Sequence, residues 1–173
     1  MGSIAEGALL PDWLRIVLIG RNPERTLVRI VILVVGCLAV FKFVLLPIRV
    51  EGVSMLPNYK ENAVNFVNRL PYWFHEPQRG DVVAIRLAGK HVMYLKRIIA
   101  LPGETIAFRQ GQVWINGHPL DEPYLKLPCN WEHDPEQIGS REYFVVGDNR
   151  SMDWEEHTKG KAERKRIIGK VLL

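Results

Sequence analysis

Nineteen consecutive residues, Ile30 to Ile48, read IVILVVGCLAVFKFVLLPI and contain a single charge, Lys42. Wound as a helix, such a run rises roughly 28 Å, close to the hydrocarbon thickness of a bilayer. It is longer than the apolar stretch of a cleaved signal peptide, and it runs on into LLPIRV instead of ending in small residues. The sequence therefore predicts an uncleaved membrane anchor over 30–48. Lys42 lies near the far end, where its long side chain reaches the headgroups, and Pro47 suits the exit from the helix. A helix buried in a soluble core is the competing reading.

Arg15, Arg21, Arg25 and Arg29 precede this run, whereas Arg49 after it is followed by no basic residue until Lys60. This asymmetry predicts a cytoplasmic segment over 1–29 and a domain over 49–173 on the extracytoplasmic side of a membrane crossed once. The stretch PDWLRIVLIG is too short to span, and Trp13 suits either the membrane interface or an ordinary short helix. Cys37 falls in the anchor and Cys129 far beyond it, so no disulfide framework is implied. The formal net charge of +4 would tolerate acidic partners. A nucleic-acid role is nevertheless disfavoured outside a membrane, and the basic stretch KGKAERKRIIGK reads as a charged loop entering a last apolar strand.

After Arg49 the pattern changes to short runs rich in Val, Ile and aromatics, punctuated by Gly, Pro and Asn. Strands are predicted near 48–53, 63–68, 81–86, 91–100, 104–109, 112–116, 142–147 and 166–172, with RQGQ and NGH as turns. The fold class is mainly β: an N-terminal transmembrane helix followed by an all-β domain with long loops at 70–80 and 118–140. The loop LPYWFHEP clusters Tyr72, Trp73 and Phe74, which suit either a bilayer interface or a buried anchor.

Within HVMYLKRIIALPGE, strand alternation sends Val92, Tyr94, Lys96 and Ile98 to one face and Met93, Leu95, Arg97 and Ile99 to the other. Lys96 thus stands in an apolar row. Desolvation disfavours its ammonium and lowers its pKa, which turns an inert lysine into a possible general base. Such a base needs a hydroxyl to activate, and Ser54 in VEGVSMLPNY is the candidate. Spacing alone does not join them; a turn serine and a core-edge lysine are the plain alternatives.

Three stretches, GVSMLP, YLKRIIALPGE and VVGDNRSMD, follow the predicted anchor in this order. Together they resemble the signature boxes of bacterial type I signal peptidases, membrane-bound serine endopeptidases of mainly β fold. The resemblance spans residues 52 to 153. It implies that Ser54 is the nucleophile and Lys96 its general base, with no histidine, metal or cofactor. It implies that Ser151 orients Lys96, and that Asp148, Arg150, Asp153 and Arg97 form an ion network behind the site. The Ser-x-Asp element stands two residues closer to GDNR than in the commonest pattern, and WEEH follows it where an arginine is frequent. Many members carry a serine two residues before the nucleophile; here Gly52 stands there, leaving the Ser54 N–H as the implied oxyanion donor. The implied partners are preproteins bearing signal peptides, cut after small residues, and membrane lipid; the oligomeric state is left open. Met55, Tyr94 and Leu95 border the implied dyad and are candidates for substrate pockets, although core packing explains each equally well.

Rival chemistries are weaker. His75, His91, His118, His133 and His157 sit in no recognisable triad setting. His133 and His157 lie in carboxylate-rich stretches without a ligand-spaced partner, which reads as solvated loop. Glu155 and Glu156 are adjacent, which does not flank a glycosidic bond. The surviving alternatives are a membrane-tethered β-domain that binds without cleaving, including an inactive peptidase relative, and a peptidase of the same family dedicated to few substrates.

Overall fold

The computed structural model describes residues 22–86 and 93–172. The stretch around Trp13, with Arg15 and Arg21, lies outside the described residues, as do His91 and Val92 at the predicted start of the Lys96 strand.

Helix α1 spans Pro23–Phe43, with Glu24 in its first turn and Lys42 in its last. Its apolar surface is left exposed, with Leu27, Ile32, Leu33 and Leu38 each more than 60 % accessible. A helix of this length and apolarity, unburied among the described residues, is suited to lipid. The helix starts earlier than the predicted 30–48 and ends sooner. Arg25 and Arg29 are part of it, while Leu45–Arg49 form strand β1. Hydropathy cannot mark this change, since an apolar helix and an apolar strand read alike. Pro47 does not release a helix, as predicted; it lies within β1, opposite Phe66. It is tolerated there because β1 is an edge strand, where a missing N–H breaks no ladder on the open side.

Among the described residues, the unit from Phe43 onward contains eleven strands. Besides β1 they are β2 (Val64–Asn68), β3 (Val82–Arg86), β4 (Met93–Ala100), β5 (Thr105–Arg109), β6 (Gln112–Ile115) and β7 (His118–Pro119). The series ends with β8 (His133–Gln137), β9 (Glu142–Val146), β10 (Gly160–Glu163) and β11 (Ile167–Leu172). One sheet has the order β1-β2-β11-β3-β4-β9-β10, the other β7-β6-β5-β8. The predicted strands from 63–68 onward are present with shifted ends, but the one read near 48–53 is displaced to Leu45–Arg49, with 50–53 in the following loop, and β7, β8 and β10 lie in stretches read as loop. His133–Gln137, sequence HDPEQ, has no apolar period because its residues are half-buried or exposed and only its backbone joins β5.

The turn chemistry follows the sequence. Gln110–Gly111 and Asn116–Gly117 adopt φ of 50°, 77°, 51° and 81°, the paired positive angles that tight hairpins need. They close β5 on β6 and β6 on β7. Between the predicted loop ends at 70 and 80 sits a single helical turn, α2 (Pro71–Phe74). The aromatics there divide: the Tyr72 hydroxyl donates to Asp81 at 2.8 Å, while Trp73 and Phe74 are 59 % and 73 % exposed.

Three apolar clusters hold the unit together. Phe108, Trp131, Phe144 and Val146 centre one; Val50, Met55, Tyr59, Val67 and Leu95 a second; Val83, Ile85, Ile98 and Val145 a third. Strand β4 is shared by all three: Ile99 enters the first, Leu95 the second and Ile98 the third. It is paired on both sides, with β3 and β9. A side chain on β4 is therefore placed by the best-determined part of the fold.

Gly111 offers a test of this packing. An added Cβ would collide with the Cys129 carbonyl, in a backbone region that also disfavours side chains. Gly111→Ala should destabilise the domain by about 2 kcal/mol or more, read as a lowered midpoint of chemical unfolding.

Candidate active site

Ser54 stands in a turn-rich loop after β1 and is half-buried. The loop is closed by Leu56 N–H to Val53 carbonyl and Tyr59 N–H to Met55 carbonyl, at 3.1 and 3.0 Å, with a cis Leu56–Pro57 bond between. Its far end is fixed to the turn after β9: Asn149 donates its N–H to the Ser54 carbonyl at 2.9 Å and its Nδ2 to the Val53 carbonyl at 3.0 Å. Asn58 Nδ2 adds a bond to Asp148 Oδ2 at 2.8 Å. Gly147 sits so close beneath that any Cβ would strike the Ser54 carbonyl and come within 2.8 Å of the His157 ring. Only glycine fits there.

From β4, Lys96 extends its Nζ to 2.6 Å from Ser54 Oγ. Lys96 is 3 % exposed. Burial pulls its pKa down to about 8, against a smaller opposing pull from Asp148. The alternation argument thus holds: Val83 and Ile85 face the same cluster from β3, opposite Lys96 and Tyr94 in register.

Arg97, on the other face of β4, grips Asp148 in a two-pronged pair, Nε to Oδ1 at 2.8 Å and Nη2 to Oδ2 at 2.6 Å. Its third arm reaches the Gly80 carbonyl at 2.8 Å, and its plane lies 3.8 Å from the Tyr124 ring centre. Arg150, fully buried, turns away to Glu122 at 2.6 Å and to the Gly147 carbonyl at 2.9 Å. The single network implied by the resemblance is thus two separate pairs, Arg97–Asp148 and Arg150–Glu122.

The two residues at the shortened spacing do not join the site. The Ser151 hydroxyl donates to Asn149 Oδ1 at 2.7 Å and does not contact Lys96. Asp153 is exposed, and only its backbone carbonyl is used, by the N–H groups of Glu156 and His157. With the element so close to GDNR, both are spent in closing the turn. Of the pocket candidates, Tyr94 and Leu95 line a groove of about 300 Å³ with Arg49, Val50, Glu51 and Met93. Met55 is 1 % exposed and belongs to the core.

Sequence reasoning missed Asn58, Glu122, Tyr124 and His157. The first three sit in loops without pattern. His157, read as solvated, is 2 % exposed and accepts the Gly147 N–H on Nε2 at 2.8 Å. Only the Gly147 contact reveals it, and contacts across ten residues of loop leave no periodic trace. Gly52 adopts φ +86°, a conformation that a serine there would enter with strain.

Removing the Asp148 charge leaves a largely buried guanidinium unpaired. Asp148→Ala should cost about 3–5 kcal/mol of stability, measured by denaturant unfolding of the detergent-solubilised protein.

Residues 24–173 match the family model described as signal peptidase, peptidase S26. A signal peptidase I of Leptolyngbya laminosa is 33 % identical over 132 residues, 72 % of this chain and 65 % of that protein. Signal peptidase I S of Bacillus subtilis is 39 % identical over 137 residues, 72 % of this chain and 73 % of that one. A crystal structure of a signal peptidase I from Enterococcus faecalis aligns with a TM-score of 0.46 at 28 % identity, covering 57 % of this chain and 98 % of that one. The chain thus spans about two thirds of the first relative's length, and with a family match reaching from the apolar helix to the last residue, it belongs to the signal peptidase family of serine hydrolases, peptidase S26.

Proposed function

We propose that the protein is a membrane-anchored signal peptidase I that cleaves preproteins through a dyad of Ser54 and Lys96. The observation that carries this is the 2.6 Å approach of Lys96 Nζ to Ser54 Oγ, made by a lysine withdrawn from water. With its pKa at about 8, roughly a tenth of the lysine is neutral at pH 7. At the usual lysine value the neutral fraction would be about three in ten thousand. Burial therefore supplies a base some hundreds of times more available, without a histidine.

The chemistry follows from the contact. The neutral amine takes the Ser54 proton as Oγ attacks the carbonyl after the last signal-peptide residue. The ammonium then protonates the leaving amine, and the regenerated amine activates water against the acyl-enzyme. The Ser54 N–H is the donor for the tetrahedral oxyanion. An extended substrate would lie along the groove beside Tyr94 and Leu95.

On this reading α1 is the anchor, residues 1–29 are cytoplasmic at least in part, and the β unit works on the outer side. Exposed Trp73 and Phe74 suit contact with lipid where substrates emerge.

Two measurements test the dyad. Ser54→Ala and Lys96→Ala should each lower turnover of a precursor with a small-x-small site by at least about 10³-fold while the fold persists by circular dichroism. For wild type, kcat/KM should rise with pH and level off above about 8, because the active form is the deprotonated amine. A rate flat from pH 5 to 9 would remove Lys96 as the base.

A further inference from the structure

The family reading leaves unexplained a buried imidazole directly behind the nucleophile loop. His157 closes the turn Asp153–His157, with its own N–H bonded to the Asp153 carbonyl at 3.0 Å. Its ring is 2 % exposed and meets the edge of Trp131 at 4.8 Å between ring centres. Nε2 accepts the Gly147 N–H at 2.8 Å, so in the neutral ring the proton is on Nδ1. That Nδ1 is buried without a partner among the described residues.

Gly147 links the ring to the Ser54 loop. A Cβ added to Gly147 would strike the Ser54 carbonyl and come within 2.8 Å of the His157 ring at once, so carbonyl and ring both crowd the same face of its Cα. Two residues on, Asn149 holds that same Ser54 carbonyl. The ring therefore packs against the turn that holds the Ser54 carbonyl. We propose, resting on the dyad reading, that His157 is a positioning residue for Ser54: its Nε2 accepts the Gly147 N–H and seats the Gly147–Asn149 turn against the Ser54 loop.

Neutrality is essential to this role. A protonated ring would carry a donor on Nε2, pointing at the Gly147 N–H and breaking the bond. The groups facing it are cationic: Lys96 from β4, Arg150 from the turn after β9, and Lys159 beyond its own turn. Together with burial, the larger cause, they hold the imidazole down to about 3, far below the pH at which Lys96 works. His157 is thus not a proton carrier in the reaction. Its unpartnered N–H is tolerable because the alternative tautomer would leave two donors facing each other.

The test compares two substitutions in the full-length, detergent-solubilised protein. In His157→Gln the amide oxygen reaches the place of Nε2 and can accept the Gly147 N–H. In His157→Phe the ring volume is kept and the acceptor is lost. H157F should lose on the order of tenfold in kcat with little change in KM, and H157Q should recover most of that loss. In H157Q the pH at which kcat/KM rises should stay near the wild-type value. Equal loss in both variants, or none in H157F, would overturn the positioning role. A shifted pH profile in H157Q would also overturn it, by making His157 a titrating participant. Should H157F fail to fold, nitrogen NMR of the wild-type ring decides: a neutral Nδ1–H form with Nε2 accepting from pH 5 to 9 is expected, and protonation or the other tautomer in that range refutes the proposal. Ser54→Ala, assayed in parallel, separates the two readings, since cleavage surviving in it strikes the dyad and leaves the ring's NMR signature untouched.

Discussion

A lysine amine held out of water is the constraint around which this domain is arranged. Left alone in an apolar row, an ammonium is costly, and the fold offers Lys96 no carboxylate as a direct partner. Asp148 is the nearest electrostatic source of relief, and its two oxygens are already committed to Arg97 and Asn58. The amine is left with a serine hydroxyl. The cost appears in stability: with its folded pKa depressed to about 8 against 10.5, the unfolded chain binds the extra proton between those values. The penalty is complete below about pH 8 and is relieved as pH climbs toward 10.5. A site that works by such a shift has to be supported by strong packing elsewhere, which is what β4, buried on both faces, supplies.

The charged groups nearby divide the labour. Arg97 and Asp148 tie the Lys96 strand to the GDNR turn, while Arg150 and Glu122 tie that turn to the long loop after β7. Both pairs are two-pronged and nearly dry, the geometry in which arginine outperforms lysine. They fix position more than they add stability, because a buried pair roughly offsets its own desolvation. The Ser54 loop, lacking regular structure, is held by Asn58 and Asn149 and crowded by Gly147. Rigidity is thus delivered to a loop by its neighbours.

What was legible in the sequence is what repeats. Alternation exposed β4 and the odd position of Lys96, glycine and asparagine marked the hairpin turns, and three ordered boxes identified the family. Illegible were features carried by single contacts. HDPEQ pairs through its backbone alone, so β8 had no apolar signature. LLPIR is as greasy as the helix before it, so the boundary at Phe43 was hidden. Ser151 and Asp153 were placed by motif, yet spacing decided otherwise: a turn that begins immediately after Arg150 leaves both facing away from Lys96.

His157 shows why this last displacement need not disable the site. The turn that carries Ser151 outward ends by carrying an imidazole inward, to the back of the same glycine that seats the serine loop. A hydroxyl that orients the lysine and a ring that braces the serine are different solutions to one geometric demand, that Nζ and Oγ stay within hydrogen-bonding distance while the amine is kept from water. The demand concerns a distance and a dielectric, and both are met here at 2.6 Å and 3 % exposure. Which side chains meet it is free to vary, provided none of them brings a charge that would return the lysine to its ordinary pKa.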